Sequence, residues 1–142
     1  MRVQNGRVLV DYAHNAAAIR GLMEFVESID ATRRIALVTA PGDRRDEDLR
    51  EVGRLAAHLD YVIVKEDKER RGREKGAIAD LIIDGLMDGG MSANQYEVIY
   101  TETEAIQHAI SRMKDNDLVV ILADDVKASI ECVRKYSADG VR

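Results

Sequence analysis

Arg44 and Arg45 place two adjacent guanidinium groups directly after the turn-forming run Pro41-Gly42-Asp43. Guanidinium forks suit carboxylates and phosphates, because their parallel N–H groups match two oxygens at once. Three acids follow, Asp46, Glu47 and Asp48. Those suit the first turn of a helix, where carboxylates complement the positive dipole end, and Asp43 is a candidate N-cap. Helix chemistry accounts for the acids but not for the arginines, which are unfavourable beside a positive helix end.

A second cluster is Asp11-Tyr12-Ala13-His14-Asn15. Asp11 can accept hydrogen bonds or bind a hard cation, and His14 can donate to phosphate or shuttle a proton. Asn15 can cap a helix and leave its remaining free amides facing a ligand. A plain cap and a satisfied His–Asp pair would also explain these residues. The third cluster, Lys65 to Gly76, mixes both signs densely and is long for a strand-to-helix connection. It reads either as a solvated loop of loose pairs or as a clamp for a charged substrate. Thr101 stands three residues before Glu104 in capping-box spacing, and Asp124 and Asp125 read as helix caps.

These clusters must be held by regular elements, and the chain supplies an alternating series. Strands are expected over Arg7–Tyr12, Ile35–Val38, Tyr61–Val64, Glu97–Tyr100 and Leu118–Ala123. Helices are expected over Ala16–Ile29, Arg45–Leu59, Glu74–Met87, from Thr101 onward and over Asp125–Tyr136. Each shows apolar residues at helical spacing, such as Ile19, Leu22, Met23 and Val26. Strands apolar on both sides and joined by helices imply a parallel sheet covered on both faces. The fold class is therefore α/β: a Rossmann-like, doubly wound, mostly parallel sheet of five to six strands with helices on both faces. Residues 1–142 read as a single domain, with 1–6 and 137–142 loosely ordered. In such sheets ligands bind outside the carboxyl ends of the strands, which is where all the clusters above fall.

Composition narrows the function. The 21 basic and 26 acidic residues leave a net charge of −5, which favours neither nucleic acid nor a membrane surface. With five Tyr, one Phe and no Trp, a base-stacking platform is not expected. No apolar run approaches a membrane span, and the first residues form no signal core. The single cysteine, Cys132, fits a reducing cytoplasm and reads as a packing residue. There is no dinucleotide glycine fingerprint, no phosphate loop, no zinc-type Cys or His pattern and no serine nucleophile elbow.

Three ordered motifs carry a resemblance. Val10-Asp11-Tyr12-Ala13-His14-Asn15 resembles the D-Y-A-H-N-P motif that opens the C-terminal domain of Mur-type ligases. Pro41-Gly42-Asp43-Arg44-Arg45-Asp46-Glu47-Asp48 and Val64-Lys65-Glu66-Asp67, followed by Arg71-Gly72-Arg73 and Gly76, are similar to runs in the cyanophycin synthetase branch of that family. Ala16 stands where the family has proline, a residue that is favourable at a first helical position but not chemically required.

The resemblance implies a C-terminal domain of an ATP-dependent acid–amino-acid ligase. Such a ligase activates a carboxylate as an acyl phosphate, which the amine of an amino acid then attacks. ATP and Mg are expected to be bound mainly by a central domain absent from this chain, which by itself would be inactive. Asp11 and His14 would take the catalytic role, and Asp11, His14, Asn15 and Arg44 would face the nucleotide on closure. Asp43, Arg44 and Arg45 would contact phosphate or the amino acid's carboxylate. Lys65, Asp67 and Arg71 would form the amino-acid clamp, with Arg71 on an α-carboxylate and Asp67 on the guanidinium of an arginine substrate. No metal ligand is assigned here. The implied partners are arginine, a carboxylate acceptor peptide and the central ATP-binding domain, with no nucleic acid and no membrane. The alternative is a non-catalytic ligand-binding or regulatory module of the same fold. A receiver-like signalling domain fits less well, since Asp11 stands alone and Lys127 falls inside a helix.

Overall fold

The computed structural model describes residues 1–13, 15–39, 44–66, 74–123 and 125–136. The strands are β1 (Arg2–Val3), β2 (Gly6–Asp11), β3 (Arg33–Val38), β4 (Tyr61–Val64), β5 (Tyr96–Val98) and β6 (Asp117–Leu122). The helices are α1 (Ala16–Ser28), α2 (Asp46–Ala56), α3 (Ala77–Asp88), α4 (Glu102–Ser111) and α5 (Val126–Arg134), with one 3-10 turn over Ala93–Gln95. The strands form one six-stranded sheet in the order β1-β2-β6-β3-β4-β5. All neighbours are parallel except the short β1–β2 hairpin. The expected α/β class, sheet and two-sided helical cover are all present.

Alternation along the strands divides the core in two, because successive side chains point to opposite faces. Ala36, Val38, Leu118, Val120 and Leu122 pack with α1, α2 and α3 through Ile19, Val26, Leu49, Val52, Ile82 and Leu86. Ile35, Leu37, Val119 and Ile121 pack with α4 and α5 through Ile106, Ala109, Ile110 and Val133. Cys132 packs against this second cluster, as its helical neighbours suggest.

Most boundaries shift by one to three residues from expectation, and three differences have a structural cause. Residues 1–6, read as loosely ordered, instead carry β1: Arg2 pairs with Arg7, the Met1 ammonium donates to the Val8 carbonyl at 2.7 Å, and Val3 is fully buried. Helix α2 starts at Asp46 with Arg45, not Asp43, at the N-cap, and the Arg45 side chain donates to Asp48. Helix α3 starts at Ala77 rather than Glu74, because Gly76 precedes it with φ at 92°, a left-handed conformation that glycine adopts without steric cost. The N-caps at Asn15, Thr101 and Asp125 are present, each side chain accepting from a backbone amide three residues on.

Candidate functional site at the carboxyl edge of the sheet

The helices that follow β2, β3 and β4 lie on one face, and those that follow β5 and β6 lie on the other. Strand β6 sits between β2 and β3. At its carboxyl end the chain therefore departs in opposite directions from adjacent strands. That is the geometry that opens a ligand crevice in a doubly wound sheet.

Asp11 ends β2 opposite Leu122 of β6, and its carbonyl accepts from the Ala123 amide at 2.9 Å. The Asp11 carboxylate accepts from the Ala13 amide at 3.1 Å, which turns the chain toward α1. Asn15 caps α1, its side chain accepting from the Ala18 amide at 2.9 Å. The first turn of α1 is Ala16-Ala17-Ala18 and contains no acid, so its positive end is unmasked. The first turn of α2 differs, carrying Asp46, Glu47 and Asp48. Of the two loops leaving β2 and β3, the one entering α1 is thus better suited to an anion.

Arg44 is half-buried where the chain enters α2, whereas the Arg45 side chain is 83% exposed. Asp48 holds Arg45 through two contacts of 3.1 Å, so the acids do engage this arginine. The hydrogen bond and charge of Asp48 raise Arg45 above its ordinary value, and the same hydrogen bond holds the Asp48 carboxyl below its own. Exposed pairs of this kind contribute little stability.

Lys65, expected as a direct member of the amino-acid clamp, differs from all of these because its ammonium is turned into the protein. It is 0% exposed, donates to the Leu122 carbonyl at 2.8 Å and pairs with Glu102 at 2.7 Å. Asp11 and Lys65 thus meet at Leu122, one as its strand partner and one through its carbonyl. Lys65 lies beneath the edge, and Arg45 lies on its surface. His14, Asp43, Asp67 and Arg71 fall outside the described residues, as do the cap candidate Asp124 and the tail 137–142.

The structure adds three residues to which the sequence reading gave no individual role. Glu66 is buried and accepts from the Ala79 amide at 3.2 Å, so it serves the amino end of α3 where Gly76 has no side chain to do so. Thr39, directly after β3, is buried, and its hydroxyl has no hydrogen-bond partner among the described residues. Glu102 and Lys65 are 37 positions apart, so no local pattern pairs them. At the crevice only Thr39 had a readable signal, a polar residue ending an apolar strand. Among the described residues no group of three or more His, Cys, Asp or Glu is placed to hold a metal. No helix among them is long and apolar enough to cross a membrane.

The family model described as Mur ligase, glutamate ligase domain matches residues 1–124. The cyanophycin synthetase of Geminocystis herdmanii is 42% identical over 130 residues, covering 91% of this chain and 15% of that protein. That of Crocosphaera subtropica is 44% identical over 128 residues, covering 89% of this chain and 14% of that protein. The chain thus spans about one seventh of the length of these relatives. A murein peptide ligase structure from Psychrobacter arcticus superposes with a TM-score of 0.67 at 19% identity, covering 100% of this chain and 29% of that one. That likeness concerns the fold.

Proposed function

This chain belongs to the Mur ligase, glutamate ligase domain family, and we propose that it presents the amino acid in an ATP-dependent ligase of the cyanophycin synthetase type. The observation that carries the reading is the family match over residues 1–124, joined to identities of 42% and 44% with two cyanophycin synthetases. In this reading the chain closes over a nucleotide bound mainly by a separate central domain, in the cytoplasm. ATP supplies the phosphoryl group that activates an acceptor carboxylate.

The residues fit a phosphate-facing role. Asp11 and Asn15 stand at the unmasked amino end of α1, and Arg44 stands at the neighbouring loop. Asp11, His14, Asn15 and Arg44 face the nucleotide, with Asp11 and His14 taking the catalytic part. Asp43, Arg44 and Arg45 line the cleft. Asp67 and Arg71 hold the two charged ends of arginine, and Lys65 supports that clamp from below. Mg is held by the central domain with the nucleotide.

The test uses the full-length enzyme that contains this chain. ADP release is measured with ATP, Mg²⁺ and an aspartate-bearing acceptor peptide, with arginine or other amino acids in turn. Release that requires both the peptide and an amino acid, fastest with arginine, is expected. Release that ignores the amino acid would favour the non-catalytic module.

A further inference from the structure

A lysine with no exposed surface must satisfy its ammonium inside the protein. Lys65 does so across strands and helices. It follows β4, yet its Nζ reaches the carbonyl of Leu122 at the end of β6, with β3 lying between the two strands. The same Nζ pairs with Oε1 of Glu102, the first residue of α4. The other oxygen of Glu102 accepts from the hydroxyl of Ser129, in the first turn of α5. One ammonium and one carboxylate therefore join the end of β4, the end of β6, and the amino ends of α4 and α5.

Net stability does not explain such a pair, because well-packed apolar residues of similar volume serve a core as well or better. An ion pair can add a defined geometry, and here it joins two strand ends to two helix starts at the ligand edge. We infer that Lys65 is a positioning residue: its contacts with Glu102 and Leu122, extended by Ser129, set the ends of β4 and β6 and the amino ends of α4 and α5 as one unit beside the amino-acid site. The inference rests on the ligase reading above. Asp67, assigned there to the amino acid, follows Lys65 by two residues.

The test compares Lys65→Met, Ser129→Ala and the double variant Lys65→Met/Glu102→Gln in the full-length enzyme. The wild-type rate is measured first and judges the ligase reading alone. Lys65→Met is expected to lower the melting temperature and raise the KM for the amino acid about tenfold, with the KM for ATP changed less than about twofold. The double variant removes both charges, so its melting temperature should return while the KM for the amino acid stays high. Ser129→Ala should raise that KM a few-fold with little thermal effect, and it decides the matter if either larger change prevents folding. Amide exchange gives a readout independent of activity: Lys65→Met should speed exchange over 102–105 and 126–129 together. Recovery of the amino-acid KM along with the melting temperature, an unchanged KM in Ser129→Ala, or faster exchange in one segment alone would overturn the inference.

Discussion

Replacing Gly85 by alanine should destabilise this fold, although alanine is the better helix former. Helices α2 and α3 cross with backbone against backbone at Gly53 and Gly85. A Cβ on Gly85 would lie 1.9 Å from the Arg50 carbonyl oxygen and 3.0 Å from the Arg54 nitrogen. Ordinary contact begins near 3.4 Å, so the helices must part by about 1.5 Å. Both obstructing atoms belong to backbone and cannot rotate aside. Parting the helices would loosen Leu49 and Val52 against Ile82 and Leu86, which are buried at 3% exposure or less. Overpacking costs about 1–3 kcal/mol and sometimes more, while the helix-propensity gain returns about 1 kcal/mol. With a rigid obstruction the cost lies at the upper end of that range, so a net loss of about 2 kcal/mol follows, or about 7 °C in melting temperature for a domain of this size. Gly21 is the control: it lies in α1 with nothing within 4 Å of a Cβ, so Gly21→Ala should gain about 0.5–1 kcal/mol. Thermal unfolding of both variants decides the point. A Gly85→Ala protein as stable as wild type would refute the close-crossing argument.

At the amino edge, the Tyr61 hydroxyl donates to Glu97 at 2.5 Å, and His108 contacts the same carboxylate at 2.9 Å. Burial, with the hydrogen bond to Glu97 and its charge, pushes Tyr61 up to about 12, so its stabilisation is complete below the ordinary tyrosine value near 10 and lost as pH rises toward 12. Tyr61→Phe should flatten that alkaline fall in melting temperature. For Glu97 burial acts upward, but the bonds from Tyr61 and His108 outweigh it and hold the carboxyl low, so its stabilisation is lost only as pH falls through its folded value. In the full-length enzyme, His14→Ala should abolish amide formation with the melting temperature nearly unchanged, and a collapse in stability would return His14 to a structural role. Asp67→Asn should raise the KM for arginine far more than that for ATP, and equal effects would remove Asp67 from the clamp.

The sequence revealed what local pattern can carry. Tyr61–Val64 forms β4 as expected, and the Leu118–Ala123 run forms β6 with a shift of one residue, because continuous apolar runs between turn signals suit strands buried on both faces. The caps at Asn15, Thr101 and Asp125 were readable for the same reason, since each is settled within three residues. Strand β1 was not, because two residues carry no period and Val3 is buried by a core cluster drawn from distant parts of the chain. Nothing in the local sequence distinguishes Gly53 and Gly85 from other weak helix positions, and the approach of another helix explains them. Lys65 illustrates the same limit at the candidate site. A lysine at a charged loop's start reads as a surface cation, and its burial depends on Glu102 and Leu122, which are distant in sequence.

The central claim is that this domain serves amide-bond formation, and the mass of the acceptor peptide tests it most directly. After incubation of the full-length enzyme with ATP, Mg²⁺ and arginine, the peptide should gain one arginyl residue per reacted side chain. The gain should require ATP and should vanish in His14→Ala. An unchanged peptide mass from well-folded wild-type enzyme would contradict the account.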